Sequence, residues 1–260
     1  MPSESYAYAL DDDEWRRATP PSPWKLMRSA VLWLTLIGIV AGLITGVWDG
    51  LHRARAHAAG YDYTPDRDII RFVQGMLLDA GMILVAFWKV RRLGSTTIKD
   101  GLAFVPIERP GLLIFLCFCA LAVPLLAGYV TWVELHGDYG WLELDRIRQR
   151  VLREGPPLTI WSLTFLVIAA PISEELFFRG WLWTGLELGT TRSVTFGATL
   201  IVFLLAHLPD GGLMRPVLLF PTAFFISAAR MGCGSTRASM LVHATNNLGV
   251  TALMVWVSRM

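Results

Sequence analysis

Seven mostly apolar runs punctuate this chain: Ala30 to Trp48, Ile69 to Trp88, Gly111 to Trp132, Leu158 to Leu176, Val194 to His207, Val217 to Ala229 and Ala238 to Val257. Hydrocarbon supplies no water to backbone N–H and C=O groups, so a lipid-exposed segment must satisfy them itself, and a continuous apolar run of about 20 residues does so as a helix. The expected fold is an all-α polytopic membrane bundle of about seven transmembrane helices, with six to eight as the range. Composition agrees, because 54% of the 260 residues are hydrophobic and only 17% are charged. The fifth and sixth runs are short for spans, with Leu208 to Pro216 between them. Each gains length from its flanks, or one is a broken or tilted helix buried among its neighbours.

The polar stretches divide the chain. Residues 1–28, with Asp11 to Glu14 and prolines at 20, 21 and 23, read as a disordered polar tail. An acidic tail before a full-length span is unlike a cleaved signal peptide, so the first helix is expected to be retained. Residues 29–156 are expected to hold the N-terminal transmembrane helices and a connector, and residues 157–260 a membrane core, expected to be catalytic on the polar residues described next. Within the connector, 137–156 alternate acids and arginines at near-helical spacing, which fits either an interfacial amphipathic helix or a solvated link. A net charge of +2 with no basic stripe gives no reason to expect nucleic-acid binding. Cys117, Cys119 and Cys233 have no metal or redox spacing and read as apolar filler. Basic residues favour an inside N-terminus. Simple alternation then sets Glu174 and His243 near the inside ends of their helices but His207 near the outside end of its own.

The octet Ser173-Glu-Glu-Leu-Phe-Phe-Arg-Gly180 ends the fourth run. A carboxylate at membrane depth costs roughly 2.5 to 3.5 kcal/mol on insertion scales, so two in succession need compensation or a task. Glu175 and Arg179 are four apart with the acid N-terminal, the favourable order for a helical ion pair. Glu174 points about 100° away and has no local cation, which makes it the freer base. Downstream, His207 closes the fifth run, and His243 and Asn247 lie four apart on one face of the last. Asp79, in the second run, reads as a satisfied structural polar residue.

In this arrangement the chain resembles the CPBP family (CAAX proteases and bacteriocin-processing enzymes, also called Abi), which are intramembrane glutamic endopeptidases. Glu174-Glu175-x-x-x-Arg179 resembles the first family motif, Phe203-x-x-x-His207 the second and His243-x-x-x-Asn247 the third. The likeness covers roughly residues 157 to 257. It departs from relatives in leaving room for one span between the second and third motifs, and in placing Ala228 and Ala229 where small glycines are frequent. The resemblance implies that Glu174 with His207 activates water, that His243 with Asn247 forms the oxyanion site, and that Glu175 is a positioning residue held by Arg179.

The residues suit such chemistry on their own terms. Peptide hydrolysis needs an activated water, oxyanion donors and a proton for the leaving amine, and two carboxylates, two histidines and an amide supply all three. No cofactor is expected. A zinc site of Glu174, His207 and His243 is the minority alternative, set against the absence of His-Glu-x-x-His or any His pair at i,i+4. The expected partners are the lipid bilayer and a membrane-associated protein or peptide substrate, cut near a lipidated or membrane-anchored C-terminus. The location expected is a bacterial inner membrane; oligomeric state is open. Two other functions fit the same pattern: a non-catalytic scaffold or immunity protein on this fold, and a proton-coupled carrier.

Overall fold

The computed structural model describes residues 22–62, 67–93, 97–136, 164–210 and 212–258. Most of the polar tail, the 137–156 connector and the first part of the fourth apolar run lie outside them. Among the described residues every regular element is helical, which makes the protein all-α. In chain order the elements are α1 (Pro23–Ala58), α2 (Arg67–Val90), the short α3 (Ile98–Gly101), α4 (Pro110–His136), α5 (over 164–187), α6 (Arg192–Ala206), α7 (Met214–Cys233) and α8 (Thr236–Ser258). Pro23 opens α1 at the first helical turn, where its missing N–H is no loss, so residues 23–28 are helical instead of part of a disordered tail. Among the described residues four helices are long and apolar enough to cross a membrane: Pro23–Ala58, Ile69–Val90, Pro110–Val130 and Met214–Cys233.

The surface pattern is that of a protein in lipid. Helix α1 exposes Leu32, Ile39, Leu43 and Val47 while it buries Ala30, Ile37 and Ala41. Small residues recur at the buried contacts, with Ala86, Ala120, Ala223, Ala229 and Ala238 all fully enclosed. Lipid tails are as apolar as Leu, so helices associate through close packing of small residues, not through hiding large ones. This is an integral membrane protein of polytopic helical type.

Two apolar clusters organise the bundle. Parts of α1, α2, α5 and α6 form the first, around Ile37, Val85, Phe177, Leu182 and Phe203. The second joins α4, α7 and α8 around Leu116, Ile226 and Val242. Where α8 crosses α4, a Cβ on Gly249 would stand 2.6 Å from Cγ of Pro124 and 2.9 Å from Cδ1 of Leu121. A proline ring cannot swing aside, so Gly249→Ala is expected to destabilise the protein by about 1–3 kcal/mol, the usual range for overpacking. Thermal unfolding in detergent checks this against Gly38→Ala, where nothing lies within 4 Å of the added methyl.

Helix α5 is irregular. It begins as a π-helical stretch, Phe165–Ala169, tightens to α over Ala170–Glu175, widens again over Leu176–Leu182 and ends as α over Trp183–Glu187. π turns inside α-helices gather at functional sites. Polar side chains from other helices cap carbonyls along it. Arg230 Nε donates to the Arg179 carbonyl at 3.0 Å, the Thr236 hydroxyl donates to the same oxygen at 3.2 Å, and Asn247 Nδ2 donates to the Leu166 carbonyl at 2.8 Å. These bonds tie α5 in register with α7 and α8.

The fifth and sixth apolar runs resolve differently. Helix α7 gains length from its flanks and reaches 20 residues, whereas α6 stays at 15 and stops at His207, followed by a single 3₁₀ turn, Leu208–Asp210. At 1.5 Å per residue α6 is only about 22 Å long. It runs antiparallel to α5, with Phe196 against Trp183 and Phe203 against Phe178, ring centres 6.4 and 5.1 Å apart, and His207 follows one turn after Phe203. His207 does lie at the end of its helix, as expected, and that helix is shorter than a full span.

Candidate active site

The polar residues of the octet lie at the seam between the two apolar clusters, where α5 meets α7 and α8. Glu175 and Arg179 are fully buried and paired, Nη1 to Oε1, at 3.3 Å. The spacing predicted that pair. It did not predict the second partner: His243 Nδ1 lies 2.9 Å from the same Glu175 oxygen. The carboxylate accepts, so Nδ1 carries the proton, and the ring's other nitrogen, Nε2, faces Glu174 Oε2 at 4.0 Å. A gap of that width is longer than a hydrogen bond and can be bridged by a water bonded to both groups.

Arg179 is held on three sides. Besides Glu175, Nη2 donates to the Ser227 hydroxyl at 3.1 Å, and the guanidinium lies 4.4 Å from the centre of the Phe203 ring. Phe203 is the hub of the aromatic contacts, since its ring also lies 4.6 Å from that of His207 and 6.2 Å from that of His243. The motif phenylalanine is thus a wall of the site that orients a cation and two imidazoles.

Glu174 stands apart from the ion pair, as its helical offset predicted, and its Oε2 is buried with no hydrogen-bond partner among the described residues. No hydrogen bond or ion pair joins it to His207. The His207 ring instead donates from Nδ1 to the Phe203 carbonyl at 2.9 Å, which leaves Nε2 as its free acceptor. Asn247 is also engaged: one amide hydrogen goes to Leu166, and its Oδ1 accepts from Asn246 Nδ2 at 3.2 Å. An amide has two hydrogens, so Asn247 keeps a second donor.

Sequence reasoning passed over Ser227, Asn246 and Thr222, whose hydroxyl donates to Asn246 Oδ1 at 2.9 Å. A lone hydroxyl or amide in an apolar helix carries no spacing signal. Asp79 was read as a satisfied structural residue; the Ser173 side chain bonds it, and one of its two oxygens is left over. It is buried on α2, its Oδ2 lacks a hydrogen-bond partner among the described residues, and its neighbours include Ser173, Glu174 and His243. Among the described residues no three His, Cys, Asp or Glu side chains converge in a way that could hold a metal ion.

One family comparison bears on this array. The Rce1-like family, type II CAAX prenyl endopeptidase Rce1-like, matches residues 156–249. Over that stretch, about a third of its length, the chain is similar to this family. The matched region begins before α5 and ends just beyond Asn247, so it contains Glu174, Glu175, Arg179, His207, His243 and Asn247. No curated protein and no solved structure matches the chain. The Rce1-like family is one of peptidases, and the similarity to it falls on the part of the membrane bundle that holds these polar residues.

Proposed function

We propose that the protein is an intramembrane endopeptidase that hydrolyses a peptide bond near the C-terminus of a lipidated or membrane-anchored protein. One observation carries this reading: a buried, ordered line of groups, Arg179–Glu175–His243–Glu174, that ends in an unpartnered carboxylate oxygen. Glu175, held by Arg179, orients His243 through Nδ1, much as a triad acid orients its histidine. Glu174 is the base. It removes a proton from water, with His207 Nε2 as a second acceptor for that water, as the oxygen attacks the scissile carbonyl carbon. The negative charge passes to the carbonyl oxygen, where His243, protonated at both nitrogens with its Nδ1–H held by Glu175, donates from Nε2–H and Asn247 donates its second amide hydrogen. Each such donor contributes about 2.7 to 4 kcal/mol in other hydrolases. The C–N bond then breaks as Glu174 returns the proton to the leaving amine, so the base regenerates itself.

Quantitative terminal peptidomics of membranes from cells carrying wild type or Glu174→Gln tests the reading. A new C-terminus present with wild type and lost with the variant, at matched expression, is expected; identical profiles would favour the scaffold or carrier. The mechanism written here uses no metal. Cleavage by the purified protein is therefore expected to persist after treatment with a zinc chelator, and loss of activity that added zinc restores would overturn that part.

A further inference from the structure

Charge gathers a second time where α2 leaves its apolar segment. The candidate span Ile69–Val90 carries Lys89 in its last turn, and Arg92 lies just beyond its end. Lys89 Nζ sits among indole rings from three helices, 4.8 Å from the centre of Trp88 on α2, 5.6 Å from that of Trp33 on α1 and 6.0 Å from that of Trp181 on α5. The Arg92 guanidinium lies 4.3 Å from the centre of the same Trp88 ring. Trp33 and Trp88 also meet edge to face, with centres 5.3 Å apart. A lysine head on its flexible stem ordinarily wanders into water; here three rings fix where its charge sits.

These two cations lack an anion. Arg53, Arg179 and Arg192 each have a carboxylate within 3.3 Å, whereas among the described residues no carboxylate pairs with Lys89 or Arg92. An indole face attracts a cation without cancelling its charge, so two positive groups held on one ring repel each other until an anion joins them. The cluster is open on its outer side, where Arg92 and Trp88 are exposed. Tryptophans with Lys and Arg at the end of an apolar helix mark the headgroup level of a bilayer. A phosphodiester there accepts from the ammonium and the guanidinium at once, and the arginine fork matches its oxygens. A zwitterionic headgroup would bring an ammonium of its own up to two cations; a net anionic one does not. Leu84, four residues back on the Trp88 face, is 70% exposed and offers the acyl chain of such a lipid an apolar track toward the bilayer centre.

We propose that Lys89 and Arg92, set on Trp33, Trp88 and Trp181, form a binding site for the phosphate of an anionic phospholipid headgroup. The site stands independently of the proteolytic reading. A headgroup held there ties α1, α2 and α5 together, and on α5 it acts two residues from Arg179 through the enclosed Trp181 ring.

Native mass spectrometry of the purified full-length protein, titrated with phosphatidylglycerol or with phosphatidylcholine of matched chains, tests this. Wild type is expected to bind phosphatidylglycerol about tenfold more tightly than phosphatidylcholine. Lys89→Gln and Arg92→Gln should each weaken phosphatidylglycerol binding about fivefold and the pair about thirtyfold, as expected for one and two cations lost beside an anionic headgroup. Arg91→Gln removes the same charge from the same end of α2 but from none of these rings, so it should change binding by less than about twofold. Equal binding of the two lipids by wild type overturns the proposal, and so does a loss with Arg91→Gln as large as that with Arg92→Gln. Displacement of phosphatidylglycerol by millimolar inorganic phosphate would make this a site for the free ion and overturns the lipid as occupant. If variants of Lys89 do not fold, the comparison of Arg92→Gln with Arg91→Gln decides, since both side chains are exposed.

Discussion

Glu174→Gln is expected to reduce cleavage about 100- to 10,000-fold, the contribution of a positioned general base, while the protein keeps its fold. The substitution swaps an oxygen for an amide of the same size. Glu174 makes no ion pair to Arg179 and its Oε2 has no hydrogen-bond partner, so little structural energy is tied to its charge. Glu175→Gln differs in kind. Its oxygen serves Arg179 and His243 at once, so that variant should lose activity and stability together. Single-turnover cleavage of an identified substrate, with thermal unfolding of each variant alongside, separates the two. Substantial cleavage by Glu174→Gln would remove it as the base.

Arg179→Met should destabilise the protein by about 3–5 kcal/mol, because it strands a fully buried carboxylate. Ser227 loses its donor as well, and the Phe203 ring loses the cation stacked on it. The exposed pair Arg53–Asp49 is the natural control. Its nitrogen and oxygen are closer, at 2.9 Å, yet Arg53→Met should change stability by no more than about 1 kcal/mol, since water screens that pair. Distance alone thus misranks the two; desolvation decides. Unfolding midpoints in one detergent measure both. The double variant Glu175→Leu/Arg179→Met should be less unstable than Arg179→Met alone if the stranded charge is the cause.

Much of the fold was legible because each apolar run must satisfy its own backbone. Every run maps onto a helix over its described residues, and one helix, α7, separates the second and third motifs as the short spacing required. The bond of Glu175 to Arg179 followed from four-residue spacing on one helix face. Contacts between helices were beyond the sequence. Glu175 and His243 are 68 positions apart and meet only because α5 and α8 cross at that height. The pairing of Glu174 with His207 came from family resemblance; the structure sets His243 Nε2 4.0 Å from Glu174 Oε2, while the His207 ring bonds the Phe203 carbonyl.

By itself the sequence determined that this chain is a helical membrane bundle, where its apolar helices lie, and which six polar residues stand out in apolar surroundings. These are local matters of hydropathy and helical period. The tertiary structure decided which of those residues share a volume. Only packing revealed that the Phe203 ring of α6 meets Phe178 of α5, that α5 widens into π turns next to its acids, and that His243 of α8 bonds Glu175. The physical reason is that an apolar surface specifies burial without specifying a partner. In lipid, the choice of neighbour falls to small-residue contacts such as Gly249 on Pro124 and to long-range polar bonds such as Asn247 on Leu166.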